Sequence, residues 1–273
     1  MKRKIYNLFH PRVGEIWCLH RVLTERSVFK SNRELEITPD YLEQLVQEKQ
    51  RQGFRFVDMD AFVAAANGNN REKDLIHLTF DDGFADVFTN AYPILKDGRI
   101  PFTLYVTTDM PDGKADLWWL QLERLANGDA EWFEKTLSQI YDRHNNIAAA
   151  MHEITSSSAD PALCQQLSLT WEQIRAMVSE GLCTVGSHGL SHSAISLLSA
   201  KDAEHELVAS KQRLEEMLSV KVKYFSYPHS FFSDDTNQWA RKAGYNSVVV
   251  GYGGATRRKK GSDFFYRNYI VQP

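Results

Sequence analysis

Two histidines and a pair of adjacent carboxylates are the residues of this sequence whose types and spacing are suited to catalysis. His188 and His192 are four residues apart, which allows two imidazoles to bind one metal ion if the chain is helical or turned there. A sequence with nine histidines can produce such a pair by chance, so a carboxylate is needed to define a site. Asp82, in the Asp81-Asp82-Gly83 turn, can be the third ligand and leave open positions for water and substrate.

This set of ligands favours one class of metal and leaves one carboxylate for another task. Two imidazoles and one carboxylate favour zinc or a related transition metal over Mg²⁺ or Ca²⁺. We therefore expect a divalent transition metal, with zinc preferred and cobalt or nickel as alternatives. Adjacent carboxylates on a tight turn point in different directions, so Asp81 is free to act as a general base. Without the histidines, an Asp-Asp-Gly string would indicate only a turn or a helix cap.

Four sets of candidate residues lie at the carboxyl ends of predicted strands. His20 follows residues 15–19, Asp81 and Asp82 follow 75–80, His188 follows 182–186, and Tyr227 to His229 follow 222–226. Polar residues scattered at random would fall equally often at the amino ends of strands. Because the carboxyl ends of parallel strands share one face of an α/β fold, we expect these residues to meet on that face.

The order of the predicted elements favours an α/β fold. Residues 75–80 and 102–107 are strands separated by a helical stripe, which makes a βαβ unit with parallel strands. A capping box at Thr170–Gln173 begins a further helix. We predict one domain over residues 1–273, a distorted, incomplete (β/α) barrel with a helical insertion at about 111–168.

Composition and charge disfavour several classes of function. The 273 residues include 32 Lys+Arg and 35 Asp+Glu, and the net charge of -3 gives no basic field for nucleic acid. The amino-terminal segment is basic but contains no apolar run long enough for a signal peptide or a membrane span. We therefore expect a cytoplasmic protein with no nucleic-acid partner and no firm membrane association. The three cysteines lack CxxC spacing and are expected to be buried free thiols.

The candidate residues also form motifs that resemble a known family. Thr79-Phe80-Asp81-Asp82-Gly83, Ser187-His188 with His192, and Phe225-Ser226-Tyr227-Pro228 resemble the first three motifs of the polysaccharide deacetylases, the NodB-like carbohydrate esterases of the family 4 type. The TFDDG string is quite specific. The likeness extends to residues 18–22, 38–62, 242–245 and 267–271, which together cover most of the chain outside the insertion.

The resemblance implies a role for each matching residue. Asp81 corresponds to the base that activates the attacking water, and the three ligands proposed above correspond to the metal ligands of the family. The loop after the third motif, with Tyr227 and His229, is implied to stabilise the oxyanion through a backbone N–H at about His229. The implied reaction removes the acetyl group from an N-acetylhexosamine unit of a glycan or a glycan precursor.

Two departures from the family pattern leave roles open. Many members have an arginine two residues before the motif-three proline, where this chain has Ser226, and Arg267 or Arg21 could take its place. The late histidine that often acts as general acid is absent, because no histidine follows His229. His20 becomes the candidate acid, and we expect nearby carboxylates to favour its imidazolium form. The alternative for His20 is a core histidine that is hydrogen-bonded to backbone.

Other interpretations of the chain stay open at this point. The two departures are compatible with a catalytically weak glycan-binding module, and the same machinery could remove another acyl group such as formyl. Trp118 and Trp119 could form a sugar-stacking platform or pack within the insertion. The RRKK run at 257–260 could bind the phosphate of a nucleotide-linked or lipid-linked sugar, although a solvated loop is the simpler interpretation.

Overall fold

Eleven strands are present in the computed structural model, which describes residues 10–142 and 147–273. In chain order they are β1 (Arg12–Leu19), β2 (Arg21–Val22), β3 (Glu36–Ile37), β4 (Arg55–Phe56), β5 (Leu75–Phe80), β6 (Phe102–Val106), β7 (Cys183–Ser187), β8 (Tyr224–Ser226), β9 (Ser247–Val250), β10 (Thr256–Arg257) and β11 (Phe264–Tyr269). The central strands are short runs of mainly apolar residues, and β5 and β6 are buried along their whole length.

Seven of these strands close into a parallel barrel. Around the ring the order is β1, β5, β6, β7, β8, β9 and β11, and every neighbouring pair is parallel. Strand β1 closes the ring, because it pairs with β5 on one side and with β11 on the other. The predicted (β/α) barrel is confirmed, and it is incomplete because it has seven strands where a TIM barrel has eight.

Helices connect the strands and cover the barrel. They are α1 (Lys30–Arg33), α2 (Pro39–Arg51), α3 (Met59–Ala66), α4 (Tyr92–Asp97), α5 (Trp118–Ala126), α6 (Ala130–Tyr141), α7 (Ile147–Thr155), α8 (Pro161–Leu167), α9 (Trp171–Ser179), α10 (Ala200–Leu218) and α11 (Asp234–Lys242). The capping box predicted at Thr170 and Gln173 is present at the start of α9. Four helices, α5 to α8, lie between β6 and α9, where the sequence predicted a helical insertion.

The helix predicted after Gly83 begins irregularly. Residues Val87–Ala91 form a π-helical turn that leads directly into α4. Pro93 lies in the first turn of α4 and has no N–H to donate, so the regular i→i−4 pattern is interrupted there. The apolar stripe of the sequence predicts a helix at this place but carries no signal for the wider turn.

The insertion has an apolar core of its own. Its buried residues come from three helices: Trp118, Leu122 and Ala126 of α5, Phe133 and Ile140 of α6, and Ile147, Ala150 and Met151 of α7. Phe29, from the segment between β2 and β3, packs into the same cluster with its ring 4.4 Å from that of Phe133. This contact joins the insertion to the loop that follows the first barrel strand.

The RRKK run lies away from the end of β1 that carries His20. Arg257 of β10 pairs with Arg12 at the start of β1, whereas His20 follows the last residue of that strand. The two arginines of the run donate to main-chain oxygens of neighbouring loops: Arg257 to His10, and Arg258 to Ala65 and Glu72. The two arginines therefore hold loops near the start of β1, at the opposite end of this strand from His20. A substrate phosphate bound beside His20 would be out of reach of the run.

The cysteines and the helices test two further predictions, on free thiols and on membrane-spanning segments. Cys18, Cys164 and Cys183 are all buried and unpaired, as predicted. Within the described part of the chain, no helix combines the length and the apolar character needed to cross a membrane. The basic residues at positions 2–4 lie outside the described residues.

Candidate active site

The turn after β5 directs its two carboxylates to different partners. Asp81 still belongs to the strand ladder, and its N–H donates to the carbonyl oxygen of Leu19 at 3.0 Å. Asp82 then adopts a left-handed conformation with φ of 73°, and Gly83 follows with φ of 116°. A left-handed conformation is unfavourable for aspartate, and here a hydrogen bond from the Thr107 N–H to the Asp82 carbonyl oxygen, 2.9 Å long, helps to hold it. This backbone geometry gives the adjacent side chains separate roles.

The loop after β7 carries both candidate histidine ligands. It is turned rather than helical, and His192 adopts a left-handed conformation with φ of 64°. Glu206 of α10 holds the loop through one buried carboxylate, which accepts the N–H of Leu190 at 2.8 Å and the N–H of Ser191 at 3.1 Å. The same carboxylate accepts the Ser191 hydroxyl at 2.5 Å. Glu206 therefore positions the ligand loop, a role that the sequence analysis missed.

Asp82, His188 and His192 present three donor atoms to one point. The Asp82 Oδ1 atom lies 3.4 Å from His188 Nε2 and 3.2 Å from His192 Nε2. Two donors bound to a tetrahedral zinc at about 2.0–2.1 Å lie roughly 3.3 Å apart, so the spacing fits such an ion. Asp82 Oδ1 is also buried and has no hydrogen-bond partner among the described residues. The three side chains therefore fit a metal ion, as the sequence predicted.

The surroundings of these donors prepare them for a cation. Burial raises the pKa of Asp82, but the imidazoles of His188 and His192 offset this and hold that pKa well below its ordinary value. His188 Nδ1 lies 2.8 Å from the carbonyl oxygen of Ser226 and donates to it, so Nε2, which faces Asp82, is the nitrogen that would bind a metal in place of its proton. The ionised Asp82 therefore favours a cation at this point, and the His188 ring is held in the orientation that directs Nε2 towards it.

Asp81 is paired with a buried arginine. Arg267 of β11 is only 1% exposed, and its two terminal nitrogens donate to the two oxygens of Asp81 at 2.6 Å each. The same guanidinium donates to the hydroxyls of Thr79 and Ser226 at 3.0 and 2.8 Å. Burial raises the pKa of Asp81, but the guanidinium outweighs it, and the pKa falls to about 2. Asp81 is therefore ionised at neutral pH, as a general base must be.

The ion pair between Arg267 and Asp81 identifies the arginine that takes the place of the one missing before Pro228. Arg21 is engaged elsewhere, because its Nε donates to Asp86 at 3.0 Å and its guanidinium lies over the ring of Phe84. Arg267 instead reaches Asp81 from the neighbouring side of the barrel, and Ser226 supplies a hydroxyl within the same network. Of the two candidates left open by the sequence, Arg267 is the one that holds Asp81.

His20 lies at the end of β1 and lines the cleft. Its ring stacks on Tyr269 with centroids 5.7 Å apart, and candidate donor atoms of Cys18, His20 and Asp81 lie within 4.8 Å of one another. Burial lowers the pKa of His20 by more than Asp82 and Asp81 raise it, so the neutral imidazole predominates near pH 7. The carboxylates favour the imidazolium form, as expected, but desolvation outweighs their charge, so the expectation of a protonated His20 is wrong.

The turn after β8 brings Tyr227 and His229 to the same cleft. The Tyr227 N–H donates to the Val249 carbonyl oxygen at 3.3 Å, and its hydroxyl donates to Asn237 at 3.0 Å, so both polar groups serve to hold the turn. His229 and Ser230 are both left-handed, with φ of 56° and 57°. The His229 ring lies 4.6 Å from that of His192, and burial lowers its pKa to about 3. His229 is thus a neutral residue beside the ligands, in a strained turn.

A cavity of about 730 Å³ opens over these residues. Residues at the strand ends line it together with residues of α1, α5 and α6. Trp119 lines the cavity with its ring 5.1 Å from that of His192 and edge-on to the ring of Phe84. Trp118 is 3% exposed and packs within the core of the insertion. The two tryptophans therefore differ, because the Trp119 ring contacts His192 whereas Trp118 lines the cavity from within the insertion core.

Comparisons with known proteins identify sequence relatives. A family model described as polysaccharide deacetylase matches residues 68–248. YxkH of Bacillus subtilis (strain 168), a protein provisionally named as a polysaccharide deacetylase, is 23% identical over 190 residues, which is 70% of this chain and 49% of YxkH. This chain therefore spans about half the length of that curated relative.

Two solved structures share the fold over nearly the whole chain. IcaB from Ammonifex degensii has a TM-score of 0.68 at 22% identity, covering 95% of this chain and 92% of IcaB. The Streptococcus pyogenes deacetylase PplD, solved in complex with acetate, has a TM-score of 0.71 at 20% identity, covering 96% of this chain and 93% of PplD. At these identities the likeness establishes a common fold.

Proposed function

Because the chain belongs to the polysaccharide deacetylase family, we propose that it is a metal-dependent carbohydrate N-deacetylase. Its substrate is an N-acetylhexosamine unit in a glycan or glycan precursor, and its products are acetate and the free amino sugar. The observation that carries the proposal is the side-by-side arrangement of three convergent metal donors and an ionised carboxylate, Asp81, held by Arg267. This arrangement combines a site for an electrophilic cation with a base in one cleft.

The chain's own residues divide the hydrolysis between them. A divalent metal held by the three donors would polarise the amide carbonyl and lower the pKa of the attacking water. Asp81 accepts the proton of that water as the new C–O bond forms, while Arg267 keeps Asp81 ionised and oriented until then. We assign the contact with the developing oxyanion to a backbone N–H of the turn at His229, which lines the same cleft. The C–N bond then breaks as the amine receives a proton.

The donor set also bears on which metal is bound. Two imidazole nitrogens and one carboxylate oxygen suit zinc, and cobalt or nickel are the alternatives with similar preferences. Magnesium and calcium prefer sites built from oxygen ligands, which this set does not provide. We therefore propose zinc as the cofactor.

The lining of the cavity bears on the class of sugar. Of the described residues that line it, none is a lysine or an arginine, and Glu134 and Asp142 add negative charge on the insertion side. A phosphate or pyrophosphate group would therefore meet no lysine or arginine among these described residues. At about 730 Å³ the cavity is also within the range of roughly 300–1,000 Å³ that holds drug-sized ligands, so more than one sugar ring can enter. These features favour an uncharged N-acetylated saccharide over a nucleotide-linked sugar.

The experiment that tests the proposal measures acetate release. Purified protein supplied with zinc is incubated with N-acetylated monosaccharides, oligosaccharides and nucleotide sugars, and acetate and the mass of each sugar are followed. We expect loss of acetyl groups from N-acetylhexosamine oligosaccharides, abolished by a chelator and restored by zinc. Binding of oligosaccharides without acetate release would instead identify a glycan-binding module. Faster loss of a formyl group from matched N-formyl sugars would reassign the acyl group.

His20 is the residue that we propose as the donor of the proton to the departing amine. Because the imidazole is neutral in the resting cleft, the proton must reach it during the reaction, and Asp81 is close enough to supply it. We expect His20→Gln to lower kcat about a hundredfold, the lower end of the usual contribution of proton transfer, and to leave KM and zinc content nearly unchanged. Steady-state kinetics and metal analysis of the purified variant provide the measurement.

A matched control separates this role from a general effect of losing an imidazole. His205 is exposed on α10, and His205→Gln should retain the wild-type kcat. If His20→Gln keeps wild-type turnover, or loses turnover only together with its thermal stability, His20 is a structural histidine. The proton would then come from Asp81 or from water.

A further inference from the structure

A second, smaller cavity lies beside the proposed metal site. It has a volume of about 100 Å³ and is lined by Asp116, from the segment before α5, and by His192, together with Trp118, Ile147, Ser191 and His229. At about 30 Å³ per molecule, such a cavity has room for roughly three waters. It adjoins the large cleft described above, because Trp118, His192 and His229 border both.

Two atoms at this cavity are buried without a partner. Within residues 10–142 and 147–273, neither Oδ1 of Asp116 nor Nδ1 of His192 has a hydrogen-bond partner, and both are inaccessible to solvent. Buried polar atoms are nearly always hydrogen-bonded, to protein or to ordered water. The two atoms are also complementary. When Nε2 of His192 binds the metal, Nδ1 carries the proton and is a donor, whereas Oδ1 of Asp116 is an acceptor.

We propose that Asp116 is the outer carboxylate partner of His192, joined to it by one water molecule in the small cavity. The water accepts the Nδ1–H of His192 and donates to Oδ1 of Asp116. A partner of this kind fixes the ring orientation of a ligating histidine and makes its other nitrogen a better ligand. The inference rests on the metal site of the proposed function and adds to it a positioning residue from outside the barrel.

The rest of the Asp116 carboxylate is already fixed by the insertion. Its Oδ2 atom lies 2.7 Å from Nε2 of His152 on α7, and Nδ1 of His152 lies 3.0 Å from the hydroxyl of Ser157. One oxygen therefore anchors the side chain while the other remains for the water. His188, in comparison, uses a barrel carbonyl, that of Ser226, for the same purpose. The barrel thus orients one ligand, and the insertion orients the other.

The test is the affinity of the protein for zinc, measured in competition with a chromophoric chelator. We expect Asp116→Asn to weaken zinc binding by about 10–100-fold, the usual effect of losing an outer-shell partner. His152→Gln is the matched control, because it breaks the contact that anchors Asp116 but keeps the carboxylate. We expect this control to lower the melting temperature of the metal-free protein and to change the zinc affinity by less than about threefold.

Two results would overturn the proposal. Wild-type affinity in Asp116→Asn would show that the carboxylate has no effect on His192, and an equal loss in His152→Gln would show that the contact is only structural. A crystal structure of the zinc-bound wild type is an independent test, in which one water is expected within about 3.2 Å of both atoms. Separate partners for the two atoms would also refute the proposal.

Failure of this inference can be told apart from failure of the proposed function, because zinc affinity is measured without a substrate. If the wild type binds zinc more tightly than Asp116→Asn but releases no acetate, the deacetylase activity is refuted and the role of Asp116 stands. If the wild type releases acetate but binds zinc no more tightly than Asp116→Asn, the role of Asp116 is refuted and the deacetylase activity stands.

Discussion

Asp81→Asn is expected to lower kcat/KM by at least about a hundredfold while the protein keeps its zinc. The loss follows because asparagine cannot accept the proton of the attacking water, and removal of a general base typically has an effect of about 10²–10⁴. Zinc should remain, because Asp82, His188 and His192 are untouched and only Asp82 of the two carboxylates faces both imidazoles. The measurement is acetate release by the variant, together with its metal content.

Asp82→Asn is the natural comparison, since it changes the adjacent residue in the same way. It should retain Asp81 with its arginine partner but lose most of its zinc, because one of three protein ligands is weakened. If Asp81→Asn lost the metal and Asp82→Asn kept it, the roles of the two carboxylates would have to be exchanged. The stability of Asp81→Asn must also be measured, because the change leaves Arg267 buried beside a neutral side chain.

The barrel and the face that carries the site could be predicted because both depend on local patterns. Strand β5 occupies the residues expected from its β-branched and aromatic run, and the turn after it holds both carboxylates. Parallel strands place their carboxyl ends on one face, so His20, Asp81 and His188 meet there although they are far apart in sequence. The spacing of the residues and the order of the strands were therefore sufficient to predict the barrel and the face that carries the site.

Other parts of the site depend on contacts between distant elements, which spacing does not encode. Arg267 and Asp81 are separated by 186 residues, and only closure of the barrel between β1 and β11 brings them together. Glu206 lies mid-helix on α10 and carries no motif, yet it holds the ligand loop. Gly251 likewise shows no signal in the sequence, although a Cβ there would lie 2.4 Å from the ring of Tyr269, which stacks on His20. These residues are recognisable only in three dimensions.

The protonation state of His20 could not be predicted from the charged residues near it in the sequence. Asp81 and Asp82 come directly after the adjacent barrel strand, β5, and their proximity alone would favour the imidazolium form. Burial acts in the opposite direction and is the larger effect at this position. Arg267 also neutralises part of the negative charge that the sequence assigned to the cleft. The degree of burial and the position of a distant cation were both required, and neither is visible in the order of residues.

Arg267→Gln is expected to have the largest combined effect on stability and activity. Arg267 is buried and its charge is matched by Asp81, so removing the arginine leaves a buried carboxylate without its partner. Breaking such a pair typically destabilises a protein by about 3–5 kcal/mol. The pKa of Asp81, now about 2, should rise because burial is no longer opposed by the guanidinium. The acid limb of the kcat/KM profile should therefore move to higher pH.

The sign of the stability effect follows from the same pKa. The folded-state pKa of Asp81 is below its ordinary value of 3.8, so the stabilisation by the ion pair is complete above about pH 4 and is lost as the pH falls towards 2. The difference between wild type and Arg267→Gln in free energy of unfolding should consequently be largest at neutral pH and shrink as the pH falls from the raised Asp81 pKa of the variant towards 2. Denaturant unfolding across this range measures it.

Arg21→Gln is the matched control for this prediction, because Arg21 was the other arginine that the sequence allowed. It pairs with Asp86, so its loss should lower stability modestly and leave the acid limb in place. Arg267→Lys should fall between wild type and Arg267→Gln, since lysine keeps the charge but cannot donate to both oxygens of Asp81 in a fork. An unchanged pH profile in Arg267→Gln, or an equal shift in Arg21→Gln, would mean that Asp81 is kept ionised by the metal and its ligands, and that Arg267 serves only to hold β11 in the barrel.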